Sequence, residues 1–470
     1  MTGTRRTRVS FALLGVLALA RLVGAALGPR YGGDLTVGAL ALPATLDPSV
    51  PRGSAESVVS LLTQETLLRL DADGEPRAGL ARDWISAAGG REWSLRLAPG
   101  ALFHDAHPIT GEDGARSLRR FLRSASSAAA RLAQTLDGGA AYRARHTDEL
   151  PGVSAAGTEI VLRFTEAVAA PLVPLAAPSA AVVSPAGAGA GPFVPTANVP
   201  GRRLALTAFG AHVRGRPLLD RLSVVAVPNA DDLQVELQTR RVSLVVGAGA
   251  WGAPAATLLL VLDPSHPPFD AAALRGSVVE ALARSDLAGR VLPGAARPVG
   301  LLPPRLWPPP SGGSEATVAP AARAGTPITL AVSAEVPPLV SQRLVAYLDD
   351  MGLRVAALAT APDRVLEADA HARLLLWSPE VPEPELALRE LATLAPGMAG
   401  VAEALAAAAR EADPPRRRST LLEAERALRA SAVLVPLAVV PVAAHARPNL
   451  HGLAADRAGR LVLEDAWLQP

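Results

Sequence analysis

The segment Leu374-Leu375-Leu376-Trp377-Ser378-Pro379-Glu380-Val381-Pro382-Glu383-Pro384 holds the residues best suited to recognition chemistry. An apolar run passes straight into a tryptophan, and prolines then fix two carboxylates in a stiff loop. An indole face beside a fixed carboxylate can hold an ammonium group, by packing against the ring and a charge-assisted hydrogen bond. Trp377, Glu380 and the neighbouring Leu376 are therefore candidate ligand-binding residues. The plain alternative is a solvated acidic loop next to a core tryptophan.

Other patterns point to less. His104-Asp105 and His107 put three metal-ligand types into one short loop. No further ligands stand nearby, the remaining histidines are scattered singly, and a polar turn explains the loop, so no metal is expected. Gly247-Ala248-Gly249-Ala250-Trp251-Gly252 matches G-x-G-x-x-G after the apolar run Val242 to Val246. Dinucleotide binding needs a helix N-terminus facing the pyrophosphate. Pro254 follows at once and the apolar run Leu258 to Leu262 begins too soon for a crossover helix, so no cofactor is expected. There is no G-x-S-x-G and no H-E-x-x-H, and without lysine neither a Walker A loop nor a Ser-Lys pair. No motif supports catalysis, and the expectation is a binding protein rather than an enzyme.

The elements that must position these residues are of mixed type. Gly33 to Leu40, Glu92 to Leu97, Glu159 to Phe164 and Leu222 to Val227 alternate or cluster apolar residues as strands do. Ser54 to Leu70 has the apolar spacing of an amphipathic helix closed by Asp71-Ala72-Asp73-Gly74. Thr110-Gly111-Glu112-Asp113 reads as a helix entry, with Thr110 as cap and the helix running to about Leu122. Asp231 to Thr239 reads as another helix, and Pro303 to Gly325 as an exposed loop.

Composition narrows the class further. The 470 residues are 49% hydrophobic, enough for a large core and two or three domains, and carry a net charge of only +2. No nucleic-acid footprint is present. Arg5, Arg6 and Arg8 precede an apolar run from Val9 to Leu27 that ends in small residues, the layout of a secretory signal peptide over residues 1–26. Retention as a membrane anchor is the competing reading, weakened by Arg21 within the run. With no cysteine there is neither a disulfide nor a thiol for lipid attachment, which fits a soluble periplasmic protein.

Several segments together resemble the family 5 extracytoplasmic solute-binding proteins, the dipeptide, oligopeptide and nickel receptors of ABC importers. They are Gly79-Leu80-Ala81-Arg82-Asp83-Trp84, then Glu92 through Asp105, then Pro108-Ile109-Thr110-Gly111-Glu112-Asp113. Thr45-Leu46-Asp47-Pro48, Gly189-Ala190-Gly191-Pro192-Phe193, Pro267-Pro268-Phe269-Asp270, Val435-Pro436-Leu437 and Ala466-Trp467-Leu468 match in the same order. The resemblance implies an α/β fold of the type II periplasmic-binding-protein kind, with two lobes, mixed sheets flanked by helices, a hinge, and an extra subdomain in the first lobe. Its chain order divides the sequence into a lobe I core of residues 32–50, 186–254 and 430–470, an extra subdomain of 51–185, and a lobe II of 255–429.

In peptide-binding members, the position matching Glu380 is an aspartate that pairs with the peptide's α-amino group. Here the charge is kept on a longer arm. The resemblance also adds Thr45 to the candidate ligand-binding residues. It implies a monomeric receptor that delivers a peptide-like ligand to ABC permease subunits, with a metal-chelate receptor and a sensory docking module as alternatives. The aromatic-rich segment usual after the Gly-Pro-Phe return is replaced by Ala208 to Pro217, so the ligand's identity stays open.

Overall fold

The computed structural model describes residues 28–50, 54–283, 285–292, 294–307 and 325–469. The expected signal peptide lies outside the described residues, as does most of the segment from Pro303 to Gly325. Among the described residues, no helix is long and apolar enough to cross a membrane.

Strand β1 (Asp34–Ala39) turns Leu35, Val37 and Ala39 into the core, as the two-residue period of a strand requires. Helix α1 (Ser54–Thr63) is shorter than the sequence expectation. Residues Leu68–Leu70 form strand β2, which pairs with β3 (Pro76–Ala78) as a hairpin. The physical reason lies in the partners of the segment between helix and hairpin. The carbonyls of Thr66 and Leu67 accept from the backbone N–H of Leu80 and Ala81, both at 2.9 Å. That contact is close enough that a Cβ on Gly79 would sit 2.4 Å from the Thr66 oxygen. Asp71 to Gly74 is thus the turn of a hairpin, with Gly74 at φ +88° and its N–H on the Asp71 carbonyl at 3.1 Å.

Strands β4 (Ala81–Ala87), β5 (Glu92–Leu97), β6 (Val153–Ala156) and β7 (Glu159–Arg163) form a four-stranded antiparallel sheet in the order β4-β5-β7-β6. Helices α2 (Gly111–Leu122), α3 (Ser127–Thr135) and α4 (Gly139–Arg143) share its core. The start of α2 has the expected cause. Thr110 Oγ1 accepts from the Asp113 N–H at 3.3 Å, and Asp113 Oδ2 accepts from the Thr110 N–H at 2.9 Å. Such a reciprocal cap contributes about 1 kcal/mol.

The remaining strands build one large sheet. They are β8 (Phe193–Val199), β9 (Arg203–Ala208), β10 (Arg221–Ala226), β11 (Leu244–Leu262), β12 (Thr326–Ser333), β13 (Leu353–Thr360), β14 (Ala372–Trp377) and β15 (Leu434–Ala446), together with β1. Between them run α5 (Ala230–Gln238), α6 (Ala272–Ala283), α7 (Pro338–Asp350), α8 (Pro384–Thr393), α9 (Ala399–Arg410) and α10 (Pro414–Ala430). The order is β13-β12-β14-β11-β1-β10-β9-β8, with β15 paired to β11.

The Gly-rich pattern at 247–252 lies inside β11, which is strand from Leu244 to Leu262. The apolar runs on its two sides belong to this one strand. Leu244–Val246 pair with β1, whereas Thr257–Leu262 pair with β14. Strand β15 follows β11 along both parts, with register shifts between Val246 and Ala256. The shifts fall where β11 passes from one half of the sheet to the other, and irregular pairing is where a sheet bends with least loss.

One core packs around β1, β9 and β10, with Leu35, Phe193, Leu206 and Val224. Two more cover the faces of the other half of the sheet, around Leu259, Leu375 and Leu388 and around Leu260, Ile328 and Leu374. The core of the four-stranded unit also takes in Val381 and Leu386, from the loop after β14 and from α8. The four-stranded unit is therefore packed against the half of the large sheet that carries β14.

Candidate ligand-binding cavity

Strand β14 carries the chain to the cavity. Its register sets Trp377 opposite Thr257 of β11, and the ring packs into the core at 4% exposure. The indole N–H donates to Glu390 Oε1 at 2.9 Å. Glu390 lies on α8, and that helix starts where it does for local reasons: Pro384 occupies the first turn and the Glu383 side chain accepts from the Leu386 N–H at 2.9 Å. The second oxygen of Glu390 accepts from the Glu380 backbone N–H at 3.0 Å. One carboxylate thus ties the tryptophan to the loop that presents Glu380.

The Glu380 side chain reaches across to the four-stranded unit. Its Oε2 accepts from the Ser126 hydroxyl at 2.6 Å. Its Oε1 accepts from the Ser179 hydroxyl and from the Ser179 N–H at 3.3 Å. Ser126 is the N-cap of α3, so a side chain already fixed by its helix orients the carboxylate. The Glu380 carbonyl accepts from Arg460 Nη1 at 2.9 Å, and Arg460 Nε in turn donates to Asp456 Oδ2 at 2.7 Å.

These groups border a cavity of about 340 Å³, in the size range of sites that enclose small molecules. Its walls come from the loop after β1 (Pro48–Val50), from α1 (Ser57, Ser60), from Ser126 and Ser179, from Ser333 and Glu335 after β12, and from Leu375–Glu380. The two halves of the large sheet and the four-stranded unit all contribute. Ser60 is 4% exposed, and its hydroxyl has no hydrogen-bond partner among the described residues.

Glu390 has the most altered acidity on this wall. Burial pushes its carboxyl up, the neighbouring Glu380 charge adds to that, and the two N–H donors pull the other way, leaving it at about 7. The sign of the consequence is fixed. A carboxyl that ionises at about 7 when folded and near 4.5 when unfolded binds more protons in the folded state between those values. Its contribution to stability is present below pH 4.5 and lost as pH rises through 7. Glu390→Gln is expected to flatten the decline of the unfolding free energy over this window in urea titrations; an unchanged slope would refute the assignment.

Of the residues singled out from sequence, Trp377, Glu380 and Leu376 line the cavity. Thr45 does not: its hydroxyl accepts from the Asp47 N–H at 3.1 Å, in a turn just before the loop that forms one wall. The His104 loop serves the fold. His104 Nε2 lies 2.9 Å from the Gly191 carbonyl, its ring meets Phe209 edge-on, and Asp105 Oδ2 accepts from the Ser184 hydroxyl at 3.0 Å. Among the described residues, no group of three or more His, Cys, Asp or Glu is placed to hold a metal ion. His212 and Arg214, in the segment Ala208 to Pro217, join a cluster around the buried Glu65, among residues that do not line the cavity. Arg214 donates to Glu65 Oε2 at 2.6 Å and to Glu464 Oε1 at 3.0 Å, and His212 Nε2 lies 3.2 Å from Glu65. Sequence reasoning missed Glu390, Ser126, Ser179, Ser60, Glu335 and Arg460. For Glu390 a signal existed, because ten residues after Glu380 it falls inside a segment opened by Glu383-Pro384, a helix start.

Comparison with known proteins gives this geometry its family. The model of the bacterial extracellular solute-binding proteins, family 5, matches residues 75–325, more than half of the chain. The chain belongs to this family. Family 5 membership also accounts for the likeness to solved structures. The murein tripeptide binding protein MppA of Escherichia coli superposes with a TM-score of 0.81 at 16% identity, over 94% of this chain and 99% of that one. DppA of Helicobacter pylori, solved in complex with the peptide STSA, gives 0.79 at 16% identity over 94% and 99%. NikA of Staphylococcus aureus, solved in complex with Ni(L-His)2, gives 0.75 at 12% identity over 92% and 98%. The two-lobe α/β periplasmic-binding-protein fold read from sequence is the fold observed.

Proposed function

We propose that this family 5 protein is the periplasmic substrate-binding component of an ABC importer, enclosing a peptide-like ligand between its lobes and delivering it to membrane permease subunits. The observation that carries this reading is the convergence of Trp377, Leu376 and Glu380 on a cavity walled by both halves of the sheet. The ligand's α-amino group sits against Glu380, whose carboxylate is already aimed by Ser126 and Ser179. Trp377 gives the site a rigid wall, because its core packing and its bond to Glu390 leave the ring one orientation. Thr45 shapes the loop that closes the cavity from the β1 side.

Residues 1–26 serve as the export signal, and the protein acts as a monomer without cofactor, metal, nucleic acid or catalytic step. Lobe I comprises residues 32–50, 186–254 and 430–470 with an extra subdomain of 51–185, and lobe II residues 255–429; the paired strands β11 and β15 form the hinge. The register shifts between them support that placement. Ligand bound across both lobes selects the closed arrangement from the open one.

A ligand that binds only the folded, closed protein raises its stability, by about 2.7 kcal/mol at a hundred times Kd. Thermal-shift screening with di- to pentapeptides is therefore expected to give a clear rise with at least one peptide class, and mass spectrometry of gently purified protein to find a carried peptide. A flat response to every peptide, with a rise for nickel-histidine, would replace this reading by that of a metal-chelate receptor.

A further inference from the structure

Trp377 and Glu380 share one partner at the cavity. Glu390 of α8 accepts from the Trp377 indole N–H with one oxygen and from the Glu380 backbone N–H with the other, at 2.9 and 3.0 Å. Glu390 also lines the cavity, so a ligand that meets Glu380 lies on the same wall as a second carboxyl group. Three charged residues share that wall with Glu390: Glu380 from the loop after β14, Glu335 from the loop after β12, and Arg460 from the C-terminal segment. Arg460 is held by Asp456 and by the Glu380 carbonyl. The helices packed against α8 direct their charges elsewhere, Arg131 of α3 to Glu385, Arg410 of α9 to Glu166, and Arg417 of α10 to Glu383 and Glu385. Arg389, beside Glu390 on α8, donates to Gln134 and Glu385. Burial is the main reason that Glu390 keeps its proton up to about 7, and the Glu380 charge adds to it more than Arg460 relieves it. An ammonium group docked on Glu380 offsets that charge and favours the ionised form of both carboxyls.

We propose, resting on the amine-binding reading above, that Glu390 is a positioning residue that gives up its proton when the ligand's ammonium group arrives at Glu380, so that peptide capture is coupled to proton release. Ionised Glu390 offers both oxygens fully as acceptors, and a proton on either one removes part of that capacity. Loss of the proton thus tightens the clasp that holds the Trp377 ring and the Glu380 loop against the ligand. Such coupling is reciprocal: a ligand that favours the ionised form binds more tightly where that form is already present. Affinity therefore rises with pH towards and through about 7 and falls on the acid side.

Calorimetric titration of the full chain with Ala-Ala-Ala near pH 6.5, in phosphate and in Bis-Tris, counts the protons, because the two buffers differ in their heat of ionisation. The native chain is expected to release about half a proton per peptide, as a downward shift of about one pKa unit at Glu390 requires. Its affinity should rise about fivefold from about pH 5 to about pH 7, a range in which the peptide's α-amino group, with a pKa of about 7.7–8.0, stays mostly charged. Glu390→Gln should release almost no proton and bind with an affinity that is flat over the same range. Binding without proton release in the native chain would overturn the coupling and leave the amine reading standing. Proton release that persists in Glu390→Gln would assign it to another carboxyl and overturn the role of Glu390. Absence of binding at every pH would overturn the amine reading as well. The native titration needs no variant, so a fold defect in Glu390→Gln does not protect the proposal.

Discussion

Glu380→Gln is expected to weaken binding of a free-amine peptide by about 30-fold or more, because removing one partner of an enclosed charge pair costs about 2–5 kcal/mol. The fold should survive the change. A glutamine keeps the length of the side chain and one oxygen to accept from Ser126 or Ser179. Glu380→Asp separates charge from reach. The negative charge remains, but the shorter arm retreats from the two serines that aim it, so affinity should fall between that of the native chain and Glu380→Gln. Calorimetry with one peptide and the three proteins checks the order. Affinity unchanged in Glu380→Gln would move the amine away from Glu380.

The second large effect concerns stability. Arg131 of α3 and Glu385 of α8 are each 1% exposed and lie 3.4 Å apart, Nε to Oε2. Arg131 Nη2 donates to the Ala169 carbonyl at 2.5 Å, while Nη1 has no partner among the described residues. Glu385 also accepts from Arg389 at 2.9 Å and from Arg417 at 3.4 Å. Glu385→Ala removes the charge that faces Arg131 and leaves that guanidinium buried with one carbonyl. The expected cost is about 3–5 kcal/mol, a large share of the roughly 5–15 kcal/mol that holds a folded domain. Arg389 and Arg417 keep Gln134 and Glu383 as partners, so the loss concentrates on Arg131. Combining Arg131→Met with Glu385→Leu should recover most of it, because a buried ion pair and a well-packed apolar pair of similar volume differ little. Urea unfolding of the single and double variants decides. A cost below about 1 kcal/mol for Glu385→Ala would place the pair among the weakly coupled ones.

This pair also shows what the sequence carries and what it does not. Local causes are legible: Thr110 and Asp113 cap α2 as their spacing predicts, Glu92–Leu97 is a strand over its whole alternating length, and the helix read over Asp231 to Thr239 is found at Ala230–Gln238. The fold class was legible through the family resemblance of motifs spread along the chain, and the loop bearing Trp377 and Glu380 through residue types that stand close together in it. The helix expected to run to Leu70 fails for a reason of the opposite kind. Leu67 and Leu68 fit a helical period, yet their backbone partners are Ala81 and Ala78, set by tertiary pairing. Similarly, nothing local reveals that the apolar runs before and after the Gly-rich pattern at 247–252 are one strand, followed along both parts by β15.

The cavity's polar partners are the least legible part. Ser126 stands 254 positions from Glu380, and Ser179 stands 201 positions from it. Serines in an alanine-rich stretch signal caps and turns, and nothing in their spacing points to a distant carboxylate. Glu335 reads as a loop residue until the parallel pairing of β12 and β14 brings its loop beside that of Trp377.

The central claim is capture of an amine-bearing peptide by the Glu380 side of the cavity. It is tested most directly by titrating the native chain with one tripeptide in two forms, free and N-acetylated, which differ in the charge of a single nitrogen. The free form is expected to bind and the acetylated form to bind at least about 30-fold more weakly. Equal affinity for the two forms would contradict the account.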